Sequence, residues 1–164
     1  MTDDGPTTPA IDALLAAGVP HHVVRTERAT SAEESARFQG IQPHQLLRTI
    51  VVRRGEGDYL FVLVPAGRRF DWPKLRGHLG VTRLSMPDAD EARTVTGYER
   101  GAITPFGARQ PLPVILDRAG TEPALVALGG GAHGVNVNLT PTDLIAATNA
   151  TVADLSVPEP AGRG

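Results

Sequence analysis

Apolar residues fall in short bursts along this chain, most of them closed by Gly or Pro, and the bursts carry two different periods. Ala10, Ile11, Leu14 and Leu15 recur at helical spacing behind Thr8-Pro9, an N-cap and first-turn proline, and Gly18 closes that segment. His22-Val23-Val24 reads as a short strand. Ser31-Ala32-Glu33-Glu34 has the form of a capping box and predicts a helix to about Phe38 that stops at Gly40; Pro43 opens a further helical turn. Residues 49–52 and 59–64 are apolar at successive positions, the pattern of strands buried on both faces. The polar run 53–58 between them predicts a hairpin with a loose turn. Asp71 caps a helix carrying Leu75 and Leu79 and ending at Gly80, and Asp88 opens another through Val95. Strands are predicted over 112–116, 124–128 and 135–139, and Thr140-Pro141 caps a last helix through Leu144 and Ile145.

Helices and strands are interspersed without regular βαβ alternation, which predicts an α+β fold on a mixed sheet. Residues 8–156 read as one domain. The ends, 1–7 and 157–164, are rich in Pro, Gly and acids and read as loose tails. A chain of 164 residues buries roughly 70% of its unfolded surface, so it needs no disulfide or metal staple.

Charge narrows the choice of partners. Eighteen acids against sixteen bases leave a net charge of −2, which excludes a domain that coats a DNA or RNA backbone. A protein gripping only one end of an RNA passes this test. The absence of cysteine removes disulfides, thiolate zinc sites and a cysteine nucleophile together. The acidic start, Met1-Thr2-Asp3-Asp4-Gly5, lacks the basic and apolar regions of a signal peptide. No apolar run approaches the roughly 18 residues of a membrane span. A cytoplasmic protein without membrane contact is the expectation.

Several motifs invite chemistry. Gly129-Gly130-Gly131-Ala132-His133-Gly134 satisfies G-x-G-x-x-G, yet it leads into the period-2 strand Val135-Asn136-Val137-Asn138-Leu139. A dinucleotide pyrophosphate needs a helix N-terminus there. What survives is a glycine-rich turn between strands, either a tight hairpin with left-handed residues or a set of N–H groups facing an anion or oxyanion. No lysine follows a glycine run, so there is no P-loop. The five histidines give no ligand set, and no serine sits in G-x-S-x-G. No metal and no cofactor are expected. Arg48 heads an apolar strand on the face of Ile50 and Val52. It reads either as a strand-end arginine reaching for water or as a guanidinium fixed at the mouth of an apolar pocket for a phosphate or carboxylate. Residues 96–107 form a twelve-residue loop with three glycines and one proline, a length that in compact domains is often functional.

These pieces taken in order carry a resemblance. Leu47-Arg48-Thr49-Ile50-Val51-Val52, then Thr96-Gly97-Tyr98 running into Gly101-Ala102-Ile103-Thr104-Pro105-Phe106-Gly107, then Leu112-Pro113-Val114-Ile115-Leu116-Asp117 and Gly129-Gly130-Gly131 resemble the YbaK/EbsC family. The resemblance runs from Thr8 to Leu144, and its specific part is T-G-Y…G-x-x-[ST]-P-[FL]-G. The family comprises free-standing aminoacyl-tRNA deacylases and the editing domain of bacterial prolyl-tRNA synthetases. It implies a strongly curved, barrel-like mixed sheet surrounded by helices. The implied activity is hydrolysis of the ester joining a wrong, small amino acid to the acceptor end of tRNA, most often tRNA for proline, without metal. The resemblance also implies that a neighbouring ribose hydroxyl helps to activate water and that protein N–H groups orient the carbonyl. Prolyl-tRNA synthetase is the partner it suggests.

Carried over by position, the resemblance makes Arg48, Gly101 and Pro105 candidates for catalysis. Thr49, Ile50, Ile103, Thr104, Phe106, Gly107, Gly129, Gly130, Gly131 and His133 become candidates for substrate contact, with Ile50, Ile103 and Phe106 as an apolar wall. Arg48 stands where typical members have lysine. Arginine is a wider donor that stays protonated, so it can hold a charge but cannot transfer a proton. Asn136 and Asn138 stand where relatives often carry acids. These departures keep a second class open, a non-catalytic domain that binds an aminoacyl or nucleotide ligand or a protein partner. A hydrolase of small phosphorylated metabolites has no motif behind it.

Overall fold

The computed structural model describes residues 5–159; the rest of the two predicted tails lies outside the described residues. Its elements follow the chain as α1 (Pro9–Ala16), β1 (His22–Arg25), α2 (Ala32–Gln39), β2 (Leu47–Gly55), β3 (Asp58–Pro65), β4 (Arg68–Phe70), α3 (Trp72–Leu79), α4 (Ala89–Thr96), β5 (Val114–Asp117), β6 (Val126–Gly129), β7 (Val135–Leu139), α5 (Pro141–Thr148), β8 (Thr151–Ala153) and β9 (Ser156–Pro158). The α+β architecture on a mixed sheet is as the sequence predicts.

Strand β3 explains the unbroken apolar runs. It lies between β2, antiparallel, and β5, parallel, and β8 extends the sheet beyond β5. Alternate residues serve two cores. Phe61 and Leu63, with Leu47, Val51, Val114 and Leu116, join the larger cluster, which also holds Leu14 and Leu144. Leu60, Val62 and Val64, with Val52 and Ile115, join a second cluster around Leu75 and Leu155. A period of two, applied to a strand covered on both sides, leaves no polar face. Each fully buried Leu or Val contributes about 1.5–3 kcal/mol, so this strand is the centre of the fold.

A second sheet has the order β1-β7-β6, antiparallel throughout. A parallel bridge between Leu46 and Ala127 joins it to the start of β2, so the two sheets continue one another. Among the described residues the outer strands β1 and β8 do not pair, and the sheet stays open.

The caps behave as their side chains dictate. Thr8, Ser31, Asp88 and Thr140 each accept a hydrogen bond from the backbone three residues on. Glu34 completes the predicted capping box one residue early, accepting from the amide of Thr30 rather than that of Ser31. Asp71 stands at the N-cap of α3 without a side-chain cap bond.

Four expectations change. The hairpin turn is tight rather than loose: Gly55 faces Asp58 in the register, and Gly57 takes φ 68°. The first two of the three later strands start two residues late, at Val114 and Val126. Three-residue strands β4, β8 and β9 carry too few residues to show a period. The C-terminal boundary also moves: Val157 and Pro158, expected in a loose tail, pair with Arg69 and Arg68. Buried Asp117 fixes that last strand, accepting from Leu155 N at 2.7 Å and Ser156 Oγ at 2.7 Å. A buried carboxylate needs such donors to offset its lost hydration.

Candidate active site

One cleft of about 430 Å³ opens between the two sheets, a size that suits a small organic ligand. Its floor is β2 from Leu47 to Val51; its walls are residues 26–32 with Ser35 of α2, Met86 and Pro87, the loop at Arg100, Gly101 and Ile103, and the 132–136 turn and strand. The Tyr59 hydroxyl donates to Glu91, and Arg53 lies 3.6 Å from the same carboxylate. That cluster ties the β2–β3 hairpin to α4, whose Ala92 also borders the cleft.

Seven of the predicted site residues line this one cleft: Arg48, Thr49, Ile50, Gly101, Ile103, Gly129 and His133. They come from three segments far apart in the chain. Arg48 is half-buried, its Nη2 donates to the carbonyl of Arg68 at 2.7 Å, and its Nε is buried without a partner. The side chain is therefore held by a backbone carbonyl rather than left loose in solvent. Thr49 Oγ1 is likewise buried and unpartnered.

Glycine matters at two of these positions. At Gly129 a Cβ would lie 3.1 Å from the carbonyl oxygen of Ile103, so its absence lets the 101–103 loop lie on the end of β6. Gly101 takes φ 92°, and the His133 ring sits 3.2 Å from where its Cβ would be. His133 Nε2 is in turn 3.3 Å from the Glu99 carboxylate. The ring, the loop and the glycine turn are therefore packed as one wall.

The other predicted residues lie elsewhere. Phe106 belongs to the main core with Ala10, Leu14 and Tyr98, so the expected apolar wall consists of Ile50 and Ile103 without it. A phenyl ring deep in the core gains more from burial than at a wet cleft. Thr104 is fully buried and its hydroxyl has no partner. Pro105 and Gly107 do not reach the cleft lining; a Cβ at Gly107 would strike Pro9 O at 2.3 Å, so this end of the loop packs on the start of α1. Gly130 and Gly131 also face away, against Val135 and against Tyr98 and Thr8. The Gly130 amide donates to Val135 O at 2.8 Å, so that N–H closes the turn and is not offered to an anion.

The 96–107 loop is ordered by its own bonds. Tyr98 N donates to Thr96 Oγ1 at 3.1 Å and the Tyr98 hydroxyl donates to Phe106 O at 2.7 Å. Burial pushes the Tyr98 pKa up to about 12. The T-G-Y…P-F-G pattern is thus a loop brace first, and it delivers Gly101 and Ile103 to the cleft. Sequence reading missed Arg28, Arg100, Met86 and Pro87 at the cleft edge. Only Arg100 carried any signal, through its place in the long loop.

The chemistry this set can perform is limited. Neither cleft serine is held by a base: Ser31 Oγ accepts from Glu34 N and Ser35 Oγ from Gln39 Nε2. Among the described residues no three of His, Cys, Asp and Glu could gather around a metal ion, and no helix is long and apolar enough to cross a membrane. Among the described lining residues, Arg48 is held by a backbone carbonyl, Arg28 and Arg100 add charge at the edge, and unpaired polar atoms and an apolar patch complete the cleft.

Residues 26–147, a span that contains the Arg48 strand, the loop and the glycine turn, match the aminoacyl-tRNA editing domain. The chain belongs to that family. A curated relative from Enterococcus faecalis, EbsC, whose name designates a candidate Cys-tRNA(Pro)/Cys-tRNA(Cys) deacylase, is 24% identical over 134 residues, covering 82% of each chain. The proline–tRNA ligase of Bacillus licheniformis is 28% identical over 149 residues; the match takes in 86% of this chain and 25% of the ligase. The editing-domain chain thus spans a quarter of that enzyme. A solved structure described as a candidate trans-editing enzyme for prolyl tRNA synthetase superposes with a TM-score of 0.84 at 31% identity, over 90% of this chain and 94% of that one.

Proposed function

We propose that this editing-domain protein hydrolyses the ester of mischarged aminoacyl-tRNA, releasing a small amino acid from the acceptor end of tRNA for proline. The observation that carries this reading is the single cleft shared by Arg48, Gly101, Ile103 and Gly129 within the family match. Water adds to the ester carbonyl, the carbon–oxygen bond to the ribose breaks, and the products are the free amino acid and a free ribose hydroxyl. Arg48 serves by charge, holding a phosphate of the acceptor end or the carbonyl side of the ester. No cleft serine is activated as a nucleophile, so the water is the attacking group, and the neighbouring ribose hydroxyl is the base-side assistant that the family resemblance implies. Ile50 and Ile103 form the apolar side against the amino acid. The reaction takes place in the cytoplasm beside prolyl-tRNA synthetase, and no metal or cofactor takes part.

The experiment is amino-acid release from a panel of mischarged tRNAs with and without a chelator. Alanyl, seryl, threonyl and cysteinyl esters are released faster than leucyl or phenylalanyl esters, with no effect of chelation. Equal rates for phenylalanyl and alanyl esters on one tRNA, or activity lost to the chelator and restored by zinc, overturn the reading. One observation favours the non-catalytic alternative: Arg48 replaces lysine and already gives one of its donors to Arg68 O. An inactive natural chain that gains turnover as Arg48→Lys decides for a binding domain.

A further inference from the structure

Arg48 has one hydrogen-bond partner among the described residues, the carbonyl of Arg68, at 2.7 Å. That carbonyl belongs to β4, a three-residue strand that pairs with the equally short β9 in a sheet of two. Two such strands alone hold position poorly in water. Lys74 Nζ donates to Ser156 O at 2.8 Å, and a polar relay ties the pair to the central sheet. Arg68 Nε donates to Ser156 Oγ at 2.7 Å, and Ser156 Oγ donates to Asp117 Oδ2 at 2.7 Å. Asp117 accepts from Leu155 N through its other oxygen at 2.7 Å, and Arg68 Nε lies 3.9 Å from the carboxylate. Ser156 and Asp117 are 0% and 1% exposed, and Asp117 ends β5, which pairs with the central strand β3.

We propose that Asp117, Ser156 and Arg68 are positioning residues for Arg48, so that the C-terminal strand β9 sets the orientation of the cation in the cleft. The inference rests on the editing reading only for its consequence in turnover; the positioning itself is a property of the folded chain. A free arginine side chain samples many rotamers, and a carbonyl at a fixed place selects one of them. The selected rotamer also buries Nε without a partner, an arrangement that persists only where the surroundings hold it. Ser156 is the hinge of the relay, because its one hydroxyl both accepts from Arg68 and donates to Asp117. Releasing it leaves Arg68 with only the long bond from Nη2 to Ser156 O at 3.4 Å, and so loosens the carbonyl that Arg48 grips.

The test compares Ser156→Ala and Ser156→Thr with the natural chain. Nitrogen-15 NMR of the arginine side chains, with Arg48 assigned through Arg48→Lys, reads the position directly. Hydrogen exchange at Arg48 Nε is slow in the natural chain, accelerates by about tenfold or more in Ser156→Ala, and slows again in Ser156→Thr. In deacylation, Ser156→Ala lowers kcat by about tenfold with KM within about twofold, since a misplaced group costs rate more than binding. In an Arg48→Ala background the same substitution has no further effect on kcat. An Arg48 Nε signal unchanged in a folded Ser156→Ala protein overturns the proposal, as does a kcat loss of equal size in both backgrounds. A released Arg48 in a chain that deacylates nothing leaves the positioning standing and overturns the editing reading instead. Should Ser156→Ala fail to fold, Arg68→Lys keeps the cation near Asp117 but removes the Nε contact, and the same signals decide.

Discussion

The hydroxyl of Tyr98 donates to the carbonyl of Phe106 at 2.7 Å, eight residues along the chain, and so closes the 96–107 loop from inside the core. Tyr98 is 3% exposed and Phe106 5%. The bond links a sequence motif to a position in space: it folds the loop back, and the fold presents Gly101 and Ile103 to the cleft.

Substituting Tyr98→Phe removes this donor and strands a buried carbonyl, which destabilises the fold by about 1–3 kcal/mol at neutral pH. The pH dependence has a definite sign. Burial raises the Tyr98 pKa to about 12 from 10.0, so the folded state holds the proton more tightly than the unfolded chain. Its stabilisation is complete below pH 10 and is lost as pH rises toward 12. Chemical denaturation of both proteins at about pH 8, 10 and 11.5, values that bracket this window, shows the gap between them narrowing. A gap that stays constant across that range contradicts the assignment.

Arg48 acts by charge and place. Arg48→Ala lowers kcat/KM for deacylation by about tenfold to a hundredfold, the scale of one charge-assisted hydrogen bond of about 1.5–3 kcal/mol. Arg48→Lys keeps more activity than Arg48→Ala or exceeds the natural chain. Unchanged rates in Arg48→Ala identify an ordinary strand-end arginine.

Gly101→Ala places a methyl group toward His133 at a backbone angle that side chains rarely adopt. It costs about 1–2 kcal/mol of stability, in line with left-handed strain, and lowers kcat/KM by about tenfold as the loop and the histidine separate. Gly107→Ala, at the far end of the loop against Pro9, destabilises the protein more and alters rate less per unit of stability lost. Thermal denaturation beside single-turnover deacylation separates the two effects; equal ratios for both variants contradict the division of the loop.

Much of this protein is decided locally, and for that reason it is legible in the chain. Thr8, Ser31, Asp88 and Thr140 cap helices through bonds spanning three residues, and left-handed glycines at 40, 80 and 97 end α2, α3 and α4. The runs through β2 and β3 announce strands covered on both faces, and the pleat divides their residues: Phe61 faces one core and Val62 the other. The editing-domain family is legible too, since its pattern lies in the order of Arg48, Tyr98, Pro105 and the glycine turn. Burial and pairing at long range are different. Whether Phe106 lines the cleft or fills the core depends on what α1 brings against it, and whether Gly130 offers its N–H depends on the Val135 carbonyl. The strand β9 exists only because β4 is there to pair with it and Asp117 is there to hold Ser156. Such contacts join distant parts of the chain; Arg68 and Ser156 are 88 positions apart. No local period encodes them, because the free energy that selects them comes from surfaces meeting only after the chain has folded.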